Sequence, residues 1–156
     1  MTAFFLARRA GGLVLVPVIR SLDPVPAGHD VQEAVLTAAL ESLFAGPADS
    51  ERAQGLLTLL PTGASLRRVD IESDVAYVDV SGDTETGAVP ETLSLRAAQI
   101  VATALELPAV REVVLMVDGE IVGPGRPFGA GGPAPDRFTR SWIPVPIERP
   151  VPAAGP

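Results

Sequence analysis

The chain has 156 residues, 47% of them hydrophobic and 20% charged, so one packed domain of ordinary size is expected. Its net charge of −7 at pH 7 argues against nucleic-acid binding, because phosphate contacts require clustered basic side chains. There is no Cys, all twelve basic residues are Arg, and His29 is the single histidine. These counts exclude thiolate sites, lysine Schiff bases and metal sites built from several histidines of one chain.

The first 20 residues predict a pair of strands. Ala3–Ala7 and Leu13–Arg20 are apolar and flank a two-glycine turn signal. Pro17 cannot donate to a ladder, which places the second strand at a sheet edge or a bulge. A secretory signal peptide is the alternative, since two arginines precede the apolar run. Pro17 and Arg20 interrupt that run, which favours the strand pair.

A first helix is predicted over Val31–Ala45. Asp30 is placed to cap its N-terminus, with Glu33 three residues on, as in a capping box. Gly46-Pro47 ends it, because glycine tolerates the left-handed conformation and proline cannot continue a helix. The apolar stripe of this helix consists of Leu36, Ala39, Leu40, Leu43 and Phe44. An apolar connection follows and turns at Pro61-Thr62-Gly63.

Leu66–Ser73 and Val75–Ser81 alternate apolar and polar side chains, which predicts a hairpin with one wet face. Val78 and Val80 are expected to face the core, and Asp79 to lie on the opposite, polar face. Cross-strand ion pairing explains the two arginines of the first strand.

A second helix is predicted from about Glu91 to Leu107, followed by a strand or strand pair over Arg111–Val122. We therefore divide the chain into a domain, 1–122, and a Gly/Pro-rich tail, 123–156, which is poorly ordered or extended. Phe138, Trp142 and Ile143 are large apolar side chains of the tail that could dock on the domain or on a partner. The element order β-β-α-β-β-α-β predicts an α+β fold, with two helices on one face of a mixed, mostly antiparallel sheet.

The most polar stretch, "VAYVDVSGDTETG", offers a candidate cation site over Asp79–Glu85. Counted from Asp79, an EF-hand loop would need Gly at position 6 and Glu at position 12, where this chain has Thr84 and Pro90. A strand leading into a solvated turn is the simpler interpretation. His29 beside Asp30 is read as a loop residue next to a helix cap, and no carboxylate pair or nucleophile motif predicts an enzyme.

The order of these segments resembles the GerMN domain, named for spore germination and sporulation proteins. The likeness spans about residues 3–122 and is carried by four stretches, "FFLARRAGGLVLVPVIR", "EAVLTAALESLFAGP", "GLLTLLPTGASLRRVDIESDVAYVDVS" and "AAQIVATALELPAVREVVLMVDGE". Ala104 departs from the family pattern, which usually has Leu there. The signature positions are Pro17, Arg20, Gly46, Pro47, Pro61, Gly63, Asp79 and Gly119.

The resemblance implies a non-catalytic interaction or assembly module of a bacterial sporulation, germination or cell-envelope protein. Its fold would be similar to the ring-building modules of secretion and sporulation channels. The resemblance implies no catalytic residue, cofactor or metal. It implies protein partners or self-association, and it implies contact with a membrane only through an anchor outside this chain. Family members are commonly lipoproteins or membrane-anchored, which predicts an extracytoplasmic location. A cytoplasmic location is the alternative, since the chain shows no export signal. A small-ligand or cation-binding domain using Asp79–Glu85 is the alternative function.

Overall fold

The computed structural model describes residues 1–87, 89–129 and 134–149. Two short 3₁₀ turns, Gly82–Glu85 and Arg140–Trp142, accompany the regular elements. Those elements are β1 (Thr2–Arg9), β2 (Gly12–Ile19), α1 (Val31–Ala45), α2 (Asp49–Ala53), β3 (Leu66–Glu72), β4 (Val75–Val80), α3 (Pro90–Leu105), β5 (Glu112–Val117) and β6 (Glu120–Ile121). The α+β class and the order of the major elements are those predicted.

The four-stranded sheet has the order β3-β4-β5-β6. Its first and last strand pairs are antiparallel, whereas β4 and β5 run parallel and are joined through α3. Helix α1 packs on β3, α3 packs on β5, and the two helices contact each other. Both contribute to the main core with Ala76, Val78 and Val80 of β4, which confirms two helices on one face of a mixed sheet.

Strands β1 and β2 form a separate antiparallel sheet, with Thr2 opposite Ile19 and Arg9 opposite Gly12. The predicted pairing of the first two strands is therefore confirmed, but these strands do not join the other four in a single sheet. The reason is burial: β1 contacts both long helices, and Phe4 and Phe5, on its two faces, are both 0% exposed. Its free edge meets the connection after α2, where Leu6 and Leu57 exchange backbone hydrogen bonds of 2.8 Å.

Helix α1 begins as predicted, with the Glu33 N–H donating to the Asp30 carboxylate over 2.9 Å. The second half of the predicted capping box is absent: the Glu33 carboxylate accepts instead from the Ile71 N–H of β3, also at 2.9 Å. This contact satisfies one backbone donor on the outer edge of the sheet and ties α1 to it. Gly46, with φ of 88°, ends the helix and donates to the Leu43 carbonyl.

The described part of the C-terminal stretch packs on the domain in an extended form. Phe138 exchanges two backbone hydrogen bonds with Val113, is 1% exposed, and meets the Trp142 ring edge-on at 4.5 Å. Further along, the Leu15 N–H donates to the Pro146 carbonyl. Residues 134–149 therefore dock on the domain, which is one of the two predicted alternatives. Residues 130–133 and 150–156 lie outside the described residues. The division of the chain at residue 122 stays a prediction.

Candidate functional site

The strand-exit cluster lies where β4 and β5 end and β3 begins, and it consists of Arg67, Asp79, Gly82, Asp118 and Gly119. Because these two strands are parallel neighbours, the residues that follow them emerge at the same edge of the sheet. Two carboxylates tie the edge reciprocally: Asp79 accepts from the Gly119 N–H and Asp118 accepts from the Gly82 N–H, each over 3.0 Å. Asp79, on β4, thereby fixes the turn after β5, and Asp118, after β5, fixes the turn after β4.

Local backbone geometry explains why these residue types occur here. Asp118 and Gly119 have φ of 48° and 84°, and two successive positive φ angles are what a tight hairpin turn requires. The register of β3 against β4 shifts between Leu66 and Arg68, so Arg67 is bulged out of the ladder. The bulge brings its Nη1 to 3.6 Å from carboxylate oxygens of both Asp79 and Asp118.

The prediction that Asp79 lies on a wet face is wrong, since Asp79 is only 7% exposed. Strand β4 is central, with β3 on one side and β5 on the other. On that same face Val75 and Val114 are also buried, at 6% and 5% exposed. Alternation in one strand predicts which residues share a face, but it does not predict whether that face is buried. The prediction for Val78 and Val80, both 0% exposed, is confirmed.

The carboxylates of the predicted cation stretch point to different partners. Asp79 accepts from Gly119, whereas Glu85 forms an ion pair with Arg126 and accepts from the Gly129 N–H. Asp83 is exposed and lies beside Gly63. Within residues 1–87, 89–129 and 134–149, no three His, Cys, Asp or Glu side chains are grouped so that they could hold a metal ion.

Arg20 belongs to a second polar cluster, at the exit of β2. Its guanidinium donates to both oxygens of the Glu51 carboxylate, over 2.7 and 3.1 Å, and lies 5.7 Å from the centre of the Phe5 ring. Glu51 also accepts from the Ala48 N–H at the start of α2. Burial alone would raise the pKa of Glu51, but the hydrogen bonds from Ala48 and Arg20, with the Arg20 charge, hold that pKa below its ordinary value.

The remaining signature positions shape the backbone. Gly46 and the buried Pro47 connect α1 to α2, next to Arg52. Pro61 accepts from the Ala64 N–H in the predicted turn, which contains Gly63. Pro17 lies opposite Phe4 on β2. The eight positions are thus spread over several turns and strand ends instead of converging on one pocket.

A buried polar stripe on α3 escaped the sequence reasoning. Arg96, Gln99 and Thr103 are 7%, 0% and 2% exposed. Arg96 donates to three backbone carbonyls, and its burial lowers its pKa. Gln99 accepts from the Leu59 N–H, and the Thr103 hydroxyl accepts from the Phe4 N–H. Their i, i+3, i+7 spacing, which places three polar side chains on one face of α3, was the available signal.

Several large apolar side chains stay at the surface. Ile19 is 80% exposed, Val89 60%, Ile121 58% and Val31 55%. His29, the single histidine, lies in the exposed loop before α1, and its N–H donates to the Pro26 carbonyl. In the described ranges, no helix combines the length and the apolar character that crossing a bilayer requires.

Comparison with known proteins places the fold. The model of the Germane family, described as sporulation and spore germination, matches residues 2–123. A solved structure of the tandem GerMN domains of the sporulation protein GerM from Bacillus subtilis is 26% identical, with a TM-score of 0.60, over 77% of this chain and 39% of that one. The first GerMN domain of that protein is 19% identical with a TM-score of 0.63, over 90% of this chain and 98% of that one.

A predicted lipoprotein from Clostridium perfringens has the same fold, with 18% identity and a TM-score of 0.63, over 92% of this chain and 89% of that one. No similar protein was found among curated sequences.

Proposed function

The chain belongs to the Germane family of sporulation and spore germination, and from this premise we propose that it is a non-catalytic module that binds other proteins or further copies of itself. It would serve in the assembly of a bacterial sporulation, germination or cell-envelope structure. The observation that carries the proposal is a contrast between the buried and the exposed side chains of the described residues.

The polar side chains that stand out in the sequence hold segments of the backbone in place and thus form part of the structural framework. Asp79 holds the turn after β5, Arg20 holds the start of α2, and Glu33 holds the edge of the sheet. Apolar side chains, by contrast, remain at the surface on well-anchored elements, such as Ile19 beside the paired residue Thr2. A contiguous exposed apolar patch is typical of a surface that binds other proteins, whereas single exposed apolar side chains are common on all proteins.

We also propose that the protein works outside the cytoplasm. The support is the sporulation and germination family together with the relative described as a lipoprotein. Fractionation of the host, with protease treatment of intact cells, tests this: cleavage of the native protein in intact cells is expected, and full protection until lysis would contradict it.

The assembly function is tested on the purified full-length protein and in its host. Size-exclusion chromatography with chemical crosslinking measures self-association, and affinity capture from host extract measures binding to other proteins. We expect a concentration-dependent oligomer or a specific captured protein. A strict monomer at high concentration that captures nothing would contradict the proposal.

A further inference from the structure

Two neighbouring depressions on the surface share three lining residues. The apolar groove, about 220 Å³, lies between the start of β1, helix α1 and the residues after α3. The arginine cleft, about 610 Å³, is lined by the end of α3, the residues that follow it and part of the C-terminal segment. Glu106, Leu107 and Pro108 line both, so the two depressions adjoin, and together they are called the composite groove.

The arginine cleft is basic although the protein is acidic. Arg111, Arg140 and Arg149 line it against one carboxylate, Glu106, while the chain as a whole carries a net charge of −7. Arg149 donates to both oxygens of Glu106, over 2.9 and 3.0 Å. Arg140 donates to the Leu105 carbonyl, and its Nη2 lies 3.7 Å from the Glu106 carboxylate.

The cleft therefore has cationic capacity beyond what Glu106 neutralises. The Arg111 side chain makes no ion pair or hydrogen bond with any other residue that the structure describes, and both Arg140 and Arg149 remain about half exposed, at 56% and 46%. Guanidinium groups bind carboxylates in a planar, two-bond geometry, which Arg149 already shows with Glu106. The cleft also offers two neighbouring hydroxyls, of Thr139 and Ser141, 2.9 Å apart.

The apolar groove is extended by exposed side chains on both of its sides. Ile19 is directly opposite Thr2 in the β1–β2 ladder, so the two side chains share a face, and Thr2 lines the groove. Val31 lies one turn before Val35 on the same side of α1, and Val35 lines the groove. With Ile19 80% and Val31 55% exposed, the apolar surface is larger than the groove itself.

We propose that this composite groove binds an extended peptide segment of a partner protein, with apolar residues in the groove and Asp or Glu side chains in the arginine cleft. The inference rests on the proposed function and specifies the surface and the chemistry of its partner. Charge complementarity carries it: the cleft brings three arginines next to apolar surface in a protein that is acidic as a whole. A concave site with a narrow apolar half suits a chain of side chains better than a flat lipid surface.

The test uses the full-length protein and four fluorescein-labelled peptides, each with a Leu-Val pair and an Asp-Glu-Glu triplet separated by zero to three glycines. Matched peptides carry Asn-Gln-Gln in place of the triplet, and vesicles of neutral and anionic lipid form a separate arm. Fluorescence anisotropy is measured at low and high salt. We expect at least one acidic peptide to bind about tenfold more tightly than its amide match, and this preference to shrink at high salt.

Variants locate the binding. Arg111→Gln should weaken binding of the acidic peptide about tenfold at unchanged melting temperature, and Ile19→Ser should weaken the acidic and the amide peptide alike. Arg68→Gln, which removes an exposed arginine of β3 that pairs with Asp70, is the control and should bind as the wild type does. Equal affinity for acidic and amide peptides, an unaffected Arg111→Gln variant, or binding to anionic vesicles alone would overturn the proposal.

These outcomes distinguish a failure of the groove proposal from a failure of the proposed function. A protein that oligomerises or captures a partner, yet shows no preference for acidic peptides, contradicts this groove and leaves the proposed function standing. A protein that neither assembles nor binds any peptide contradicts both.

Discussion

Replacing Asp79 with alanine tests whether this signature residue is part of the framework. The Asp79 side chain is 10% exposed, and its carboxylate accepts from the Gly119 N–H at 3.0 Å and lies 3.6 Å from Arg67. Its removal leaves a turn N–H without its partner and Arg67 without its less exposed carboxylate. A hydrogen bond to a charged group contributes about 1.5–3 kcal/mol, so Asp79→Ala should lower the free energy of unfolding by about 2 kcal/mol. In a domain of this size that corresponds to a fall of about 4–8 °C in melting temperature.

Guanidinium unfolding followed by circular dichroism measures the change, with two variants for comparison. Asp79→Asn keeps an acceptor for Gly119 and should lose about half as much stability. Asp83→Ala removes an exposed carboxylate of the same stretch and should stay within about 0.5 kcal/mol of the wild type. If Asp79→Ala is no less stable than Asp83→Ala, the framework role is refuted. A rise in wild-type melting temperature with Ca²⁺ or Mg²⁺ that Asp79→Ala abolishes would support the cation site instead.

Three further substitutions test other parts of the framework by the same unfolding measurement. The pKa of Glu51 is lowered in the folded state, so its stabilising effect on the fold is present above its unfolded pKa and is lost as pH falls through the folded pKa. Glu51→Gln should therefore lower the free energy of unfolding by about 1 kcal/mol at pH 7 and by progressively less in acid. A difference from the wild type that does not change with pH would contradict this. Gly119→Ala, at φ of 84°, should cost about 1–2 kcal/mol, whereas Gly125→Ala, in open space and without a positive φ, should be nearly neutral; equal costs would refute the turn argument. Phe138→Ala should cost about 3–5 kcal/mol if the C-terminal segment belongs to the core, and a loss below about 1 kcal/mol would show that the domain is stable without that packing.

The sequence predicted what depends on neighbours along the chain. The stripe of α1, its Asp30 cap and the alternation of Val78 and Val80 follow from periods of 3.6 and 2 and from capping chemistry, and the structure has them as expected. Two failures share one cause. Asp79 is buried, and Glu33 turns to Ile71 instead of closing its capping box, because each meets an element distant in sequence.

At the C-terminus, composition and individual apolar side chains give different indications. Gly and Pro dominate the stretch after Val122, and such composition is typical of segments without a packed core. Phe138 nevertheless exchanges backbone hydrogen bonds with Val113 of β5 and belongs to the core. The composite groove could not be predicted from the sequence. Arg111, Arg140 and Arg149 come together only because the C-terminal segment packs on the domain.

Site-specific photo-crosslinking in the host tests the central claim, that the surface and not a catalytic centre performs the function. A photoreactive residue replaces Val35 in the apolar groove or, as a control, Arg68 on β3. The account predicts a discrete crosslinked protein, or a crosslinked dimer, from position 35 and little from position 68, and the loss of that product in an Ile19→Ser background. Identical products from the two positions, or none from position 35 in a correctly folded protein, would contradict it.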